Sequence, residues 1–427
     1  MKSIGNWILW VIILTTLGMF VSSKAGITEV MATPWLSASQ ALALVGTALL
    51  SMSFVLSSRA RFLESLFGGM DKVMKVHHIV GGISFLLIIN HPLFLAIDAI
   101  PNFQIATRYF WLSTNLSYSL GVGALYTLII TLLLTLVIKL PYDLWLKTHD
   151  FMGIALLLGS LHVYTISSDV SRYAPLRIWM FGLLGVGFFS FIYKVFLYSS
   201  FGPKYKYLVS SIRRLKDVYE ITLLPIDDKV SFLPGQFVFI NFEALGLEEK
   251  HPFTISSAPT FKGLRISVKA LGDYTVKLNQ LKDGMIANVW GPYGRFYKGM
   301  SDETKDVVMI AGGIGITPFL SMLNNELTKN LKRKIWLYYG ASSTEDAVYD
   351  SEISAIEEKL TNLNYFRHFG GIKPRVSVNV LKEKLGELSN KLFYICGPTI
   401  MMENLSEQLI KNGVKRKNII MEDFAFK

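Results

Sequence analysis

The first half of the chain is written in long apolar runs and the second in short alternating ones. Six stretches before residue 203 are candidates to cross a bilayer: roughly 4–22, 37–57, 76–97, 118–138, 149–168 and 176–198. A hydrocarbon core takes about 20 residues of helix, which each of them approaches or exceeds. After Lys204 the period shortens to KYLVSSI, VYEITLL, QFVFINF, LRISVKA and IANVW. Turn residues such as Leu233-Pro234-Gly235 and Lys282-Asp283-Gly284 separate these runs. Short strands at that spacing predict a small antiparallel barrel. From about residue 306 strands alternate with helices. VVMIA leads into GGIGITPFLSMLNNEL, then KIWLYYG, a helix near 350–360, LFYICGPT, another helix and NIIMEDF. That order predicts an α/β nucleotide-binding domain. The expected protein is therefore multidomain: an all-α six-helix transmembrane bundle over 1–203, an antiparallel β-barrel over 204–300, and a Rossmann-like α/β domain over 301–427.

Composition agrees with a chain that is half membrane protein. Of 427 residues 51% are hydrophobic and the mean hydropathy is +0.38, high for a soluble protein. The single cysteine, Cys396, excludes internal disulfides, so no oxidising compartment is needed. The net charge of +11 is spread over both halves without long basic blocks. It reads as membrane orientation plus anionic cofactors rather than nucleic-acid binding. Arg59, Arg61, Lys72, Lys75, Lys139, Lys147, Lys194, Lys204 and Lys206 flank one set of span ends. The opposite loops carry Lys24, Arg108, Arg172 and Arg177. The positive-inside rule then puts both termini in the cytoplasm. The first apolar stretch follows Lys2 without a convincing small-residue cleavage site and is expected to be retained.

Ionisable rings inside apolar spans are costly and usually functional. The third span, KVMKVHHIVGGISFLLIINHPLFLAI, holds His77, His78 and His91; the fifth, THDFMGIALLLGSLHVYTI, holds His149 and His162. Each of two spans thus offers a histidine near its cytoplasmic end and one near its outer end, about 20 Å apart at 1.5 Å per residue. A planar metal cofactor gripped from both sides by imidazole fits that pattern, and two stacked b-type haems would make a wire across the bilayer. The spacing from His77 to His91 keeps both on one helical face; the spacing from His78 does not, so His77 is preferred. His149 and His162 are thirteen residues apart, which on a straight helix would point them well apart. Either that span is distorted or its ligands approach from different sides. Gly81, Gly82, Gly153 and Gly159 could admit a macrocycle near the backbone, or could be ordinary packing glycines.

In the soluble half, AGGIGITP (311–318) follows a predicted strand and opens a helix. Gly312, Gly313 and Gly315 remove side chains where a dinucleotide must approach the backbone, and Thr317 and Pro318 suit a helix start. Together with HPFTISSAP (251–259), GDYT (272–275), GPYG (291–294) and YICGP (394–398), this half resembles the ferredoxin–NADP reductase module. Joined to a six-span, four-histidine membrane domain, the chain resembles the NADPH oxidase and ferric reductase superfamily in a bacterial-type minimal form. The resemblance covers nearly the whole chain.

It implies two haem b, FAD and NADPH (or NADH) as cofactors and donor, with His77 and His149 on the inner iron and His91 and His162 on the outer. It further implies that His251, Pro252, Phe253 and Thr254 bind FAD. Phe253 would lie on the flavin ring, Thr254 near its reactive edge and His251 toward the ribityl–phosphate part. Gly272 and Thr275 would receive the pyrophosphate at a helix start, with Lys269 as added charge. Cys396, Gly397 and Pro398 would line the nicotinamide. Phe424, or else Phe426, would cover the flavin until nicotinamide displaces it. After YYGASSTED no base is near for a 2′-phosphate, although Lys373 and Arg375 could reach over; NADPH is preferred by resemblance, with NADH close behind.

The implied function is a plasma-membrane NAD(P)H oxidase delivering single electrons to O2 on the outer face, giving superoxide. A ferric or cupric chelate reductase uses the same path. A transport protein with a regulatory nucleotide-binding domain is the reading from another class, and it expects no haem absorption. Arg108, Arg172 and Arg177 could pair with haem propionates or attract an anion. Without EF-hand loops the enzyme is expected to need no regulatory subunit, and purified protein that is inactive until a partner is added would contradict this.

Overall fold

Long uninterrupted apolar stretches have no way to hydrogen-bond in lipid except as helices, and the N-terminal half folds accordingly. The computed structural model describes residues 3–138, 140, 142–198, 204–300, 302–329, 333–370 and 376–422. The chain divides near residue 201 into two compact units. In the first, the principal helices are α1 (Ile4–Ser22), α2 (Pro34–Ser57), α3 (Met70–Asp98), α4 (Leu116–Leu136), α5 (Tyr142–Asp150), α6 (Met152–Thr165) and α7 (Ala174–Ile192). The last runs on through a π-helical turn, Tyr193–Leu197. Short helices at 27–32, 61–67, 103–108 and 169–172 lie between them.

Among the described residues, five helices are long and apolar enough to cross a membrane, where the sequence predicts six. The difference lies in the fifth predicted span. It is interrupted at Phe151, so that α5 and α6 are separate helices of 9 and 14 residues. Neither piece alone meets the length of a bilayer. The break also removes the difficulty of the thirteen-residue spacing, because His149 and His162 need not share the face of one straight helix. Close backbone approach sets the rest of the bundle. A side chain at Gly46 of α2 would sit 2.8 Å from Ile88 of α3, and one at Gly187 of α7 would sit 3.0 Å from the Ser51 backbone. At one end, Lys24 and Asp169 form a buried ion pair at 2.8 Å, tying the loop after α1 to the loop before α7.

The second unit begins with a six-stranded antiparallel sheet of β1 (Lys204–Leu215), β2 (Val218–Pro225), β3 (Phe237–Phe242), β4 (His251–Thr254), β5 (Leu264–Lys269) and β6 (Ile286–Tyr293). Its order is β4-β3-β6-β1-β2-β5, and a bridge between Ile255 and Ile266 joins its two edges. Alternate residues such as Tyr207, Ile221, Val238, Ile240 and Ile266 fill the interior, as period-two patterning requires. Five parallel strands follow: β7 (Val307–Gly312), β8 (Ile335–Ala341), β9 (Leu363–Phe369), β10 (Leu392–Cys396) and β11 (Ile419–Met421). Their order is β11-β10-β7-β8-β9. β9 was not predicted: it is an edge strand, and Asn364, Arg367 and His368 interrupt its apolar pattern.

In the nucleotide half, Glu326 and Arg333 form a fully buried ion pair at 2.9 Å, with both side chains 1% exposed. Arg333 also donates to the Met300 carbonyl at 2.6 Å. Removing one partner strands the other charge, so Glu326→Ala should cost about 3–5 kcal/mol. Thermal release of flavin from purified protein should report this as a clearly lowered midpoint; an unchanged midpoint would show that the pair is replaceable.

Candidate functional site

The histidines that the sequence singles out fall into two levels of the bundle. The ring centroids of His77 (α3) and His149 (α5) are 6.2 Å apart with planes at 81°. His91 (α3) and His162 (α6) line one cavity of about 320 Å³ with Leu128, Ala155, Leu156 and Leu184. Among the described residues, every hydrogen bond on these four rings runs through Nδ1. His77 donates to the Ser53 carbonyl at 2.9 Å and His162 to the Ser117 carbonyl at 2.7 Å. His91 Nδ1 lies 2.7 Å from the Ser39 hydroxyl and 3.1 Å from its carbonyl. His149 Nδ1 lies 3.4 Å from the Thr135 hydroxyl. A carbonyl only accepts, so the ring proton of His77 and His162 sits on Nδ1 and the lone pair on Nε2. This is how metal-binding imidazoles are held. His78, by contrast, is exposed, with a ring contact to His77 at 5.6 Å and no hydrogen bond among the described residues.

These residues fit an iron porphyrin. Two metal–imidazole bonds of about 2.0 Å and two ring radii of about 1.1 Å put the centroids of a bis-imidazole pair about 6.2 Å apart, and that is the His77–His149 spacing. Among the described residues no group of three or more His, Cys, Asp or Glu converges on one point. The chain thus offers imidazoles two at a time, which suits a metal that brings its other ligands in a macrocycle. The expected glycine roles divide. A side chain at Gly153 would overlap the Phe191 ring, so that position is filled by protein; nothing lies within 4 Å of Gly82.

In the nucleotide domain the strand order reverses between β7 and β10, which is the switch point where open α/β sheets bind ligands. The glycine loop Gly312–Gly315 leaves β7 there, and Cys396-Gly397-Pro398 leaves β10. The two turns press backbone on backbone. A Cβ at Gly315 would overlap the Cys396 carbonyl, and one at Gly397 would sit 3.0 Å from Gly312 Cα. Gly313 has φ +55 with open space beside it, a cradle a dinucleotide can approach. Thr317 starts the following helix with Pro318 in its first turn. Cys396 is 3% exposed.

That helix is tied to the flavin-strand segment: Ser321 Oγ donates to the Ser257 carbonyl at 2.7 Å. Arg265 of β5 makes a two-pronged ion pair with Glu352, at 2.8 and 2.9 Å. Burial alone would lower the Arg265 guanidinium, but its bonds to Glu352 hold it above its usual value. Tyr349 donates to Ser267 at 2.6 Å.

HPFT is a strand, β4, paired antiparallel with β3. Pro252 and Thr254 occupy one side of it and are half-buried. Phe253 is its one buried residue, within the barrel's apolar cluster, so the ring expected to lie on a flavin is the least exposed of the four. His251 is stacked on Tyr274 at 3.7 Å, and its Nε2 pairs with Glu249 at 2.9 Å. Lys269, expected as charge for the pyrophosphate, is paired with Asp217 at 3.2 Å. Thr275 accepts from the Gly272 N–H at 2.9 Å and the Leu271 N–H at 3.0 Å, and nothing lies within 4 Å of the Gly272 Cβ position. Lys373, Arg375, Phe424 and Phe426 lie outside the described residues; the preceding Glu422 accepts from the Arg295 N–H at the end of the GPYG segment.

Sequence reasoning missed the groups that hold the imidazoles. A signal was present: Ser39 and Ser53 are fourteen residues apart, as are His77 and His91, on antiparallel neighbouring helices. It missed Gly121 as well. A Cβ there would sit 3.0 Å from His162 Nδ1 and Cε1. Gly121→Val should displace His162, and a lowered haem content per chain would report it; an unchanged content would show that the helices can part.

Residues 42–160 match the description of a ferric reductase like transmembrane component, 207–311 an FAD-binding domain and 309–407 an oxidoreductase NAD-binding domain. The chain is 31% identical over 202 residues to a Methanocaldococcus jannaschii protein described as a probable dihydroorotate dehydrogenase B (NAD+) electron transfer subunit, over 46% of this chain and 72% of that one. It is 30% identical over 216 residues to a Bacillus cereus flavohemoprotein, of which it spans about half (46% of this chain, 54% of that one). In fold it is similar to the flavohemoglobin from Malassezia yamatoensis solved with bound FAD and heme, with TM-score 0.54 and 16% identity over 93% of this chain and 97% of that one. The protein is a membrane oxidoreductase with flavin- and nicotinamide-binding domains. A ferric-reductase-like membrane component continued into such a reductase is the arrangement of the NADPH oxidase and ferric reductase superfamily, and to that superfamily this chain belongs.

Proposed function

We propose that the protein carries single electrons from cytosolic NAD(P)H through the plasma membrane to dioxygen on its outer face, giving superoxide. The observation that carries this reading is the set of four imidazoles in two pairs, each tethered through Nδ1, in a chain that also has flavin and nicotinamide domains. His77 and His149 would hold an inner haem b and His91 and His162 an outer one. Bound FAD would convert a hydride donor into a source of single electrons, and bound haem would supply one-electron redox chemistry. Ser39, Ser53, Ser117 and Thr135 fix the imidazoles, and Leu128, Leu156 and Leu184 keep water from the outer pair. Gly313 would let the donor approach backbone near Cys396, Gly397 lets that turn pack on Gly312, and Thr254 would stand on the flavin side.

The inner assignment rests on connectivity. Lys194 pairs with Asp150 at 2.9 Å, beside His149, and β1 begins at Lys204, so the chain leaves the bundle at the His77–His149 level. Six spans, both termini cytoplasmic, and domains over 1–203, 204–300 and 301–427 complete the proposal, with Phe424 or Phe426 covering the flavin.

A chelate reductase has one observation in its favour. Arg172, 67% exposed, pairs at 2.9 Å with Asp169, which lines the His91–His162 cavity, and such a cation would attract an anionic chelate. The donor is NADPH by resemblance. However, Glu345 and Asp346 follow β8, held below the usual carboxylate range by the Ser343 hydroxyl and the Lys216 ammonium respectively, and two carboxylates there favour NADH. The deciding measurements are haem and flavin per chain, expected at two to one, and superoxide formation suppressed by superoxide dismutase. Reduction of a ferric chelate without oxygen, and no superoxide with it, would select the reductase. The ratio of kcat/KM for the two donors settles the nucleotide.

A further inference from the structure

The four imidazoles are not held alike. At the outer level the shortest Nδ1 contacts are 2.7 Å for His91, to the Ser39 hydroxyl, and 2.7 Å for His162, to the Ser117 carbonyl. The Ser39 hydroxyl donates its own proton to the His91 carbonyl at 2.9 Å, so toward the ring it accepts. At the inner level His77 is held as His91 is, by the carbonyl and the hydroxyl of one serine, Ser53, at 2.9 and 3.0 Å, while among the described residues His149 has only the Thr135 hydroxyl at 3.4 Å. Thr135 spends its single proton on the Thr131 carbonyl at 2.7 Å, so it too accepts from Nδ1. A contact of that length lies beyond the usual range of about 2.7–3.2 Å. Among the described residues His149 is therefore the one ring of the four with neither a carbonyl acceptor nor a short bond.

A strong Nδ1–H···O bond makes Nε2 a more basic ligand. A more basic axial ligand stabilises oxidised over reduced iron and lowers its potential. Burial is a competing lever, but all four histidines are half-buried, so it does not separate the levels. Charge separates them little. Lys194 is neutralised by Asp150 and Lys24 by Asp169, and the added Arg172 is largely solvent-screened. We infer that the two levels are tuned apart by these hydrogen bonds: the His91–His162 iron is the more reducing, and the His77–His149 iron is reduced first. The inference rests on the reading of the histidines as haem ligands. Its consequence is that the outer level discharges electrons to an acceptor rather than storing them.

Full-length protein loaded with haem and FAD would be titrated potentiometrically, following the haem visible bands. The wild type should show two one-electron steps. Ser39→Ala, which removes the shorter acceptor of His91, should raise the lower step and leave the upper in place. A single-haem His162→Ala protein should show the upper step alone. Movement of the upper step in Ser39→Ala, a remaining haem that titrates at the lower step, or two haems titrating as one step would each overturn the inference while leaving the haem reading intact. Wild-type protein that binds no haem overturns both.

Discussion

On the proposed two-haem path, His162→Ala should reduce the haem content from two per chain to one and stop electron flow to the outer acceptor. The reason is local. His162 lines the cavity it shares with His91, its Nδ1 is fixed to the Ser117 carbonyl at 2.7 Å, and among the described residues that lining holds no third imidazole. Changes in groups that merely support a metal ligand cost about 10- to 100-fold; loss of the ligand itself should exceed about 100-fold in acceptor reduction. Flavin reduction by NAD(P)H should not change, because it belongs to the other compact unit. Pyridine-haemochrome quantification and stopped-flow flavin bleaching measure the two arms separately. Retention of both haems would remove His162 from the ligand set.

Gly315→Ala should act on the opposite half. Its Cβ would overlap the Cys396 carbonyl, and that atom is backbone at the end of a central strand, with no rotamer to escape by. The glycine loop must then move away from Cys396 and Gly397. A displacement near 1 Å at a reacting centre costs about 100-fold, so NAD(P)H-driven flavin reduction should fall by about that factor. Chemical reduction of the haems with dithionite should proceed as before. Gly313→Ala is the useful contrast: φ is +55 but nothing lies nearby, so strain of about 1–2 kcal/mol is its only cost. If the two variants behave alike, the contact with Cys396 is not what restricts position 315.

Much of this was readable before any coordinates. Apolar runs located the helices, period-two runs most of the barrel strands, and glycine-rich turns the nucleotide loop. HPFT, which is not among the alternating runs, is itself a strand, and four residues are too few for alternation to register. Helical phase alone separates His77 from His78, and in the structure His77 Nδ1 bonds the Ser53 carbonyl. The contacts between barrel and nucleotide domain, Arg265–Glu352 and Ser321–Ser257, were not readable, being 87 and 64 residues apart with no periodicity to link them.

What the sequence determined by itself is therefore the inventory: which segments suit lipid, which suit a sheet, and which side chains carry chemistry. Those follow from short-range periodicity, because the 3.6 and 2.0 repeats are properties of the local backbone. Only the tertiary structure decided that the fifth span breaks at Phe151, that serines on a neighbouring helix orient the imidazoles, and that the switch point falls between β7 and β10. Each of these depends on which element packs beside which, and that is fixed by long-range packing that no local pattern encodes.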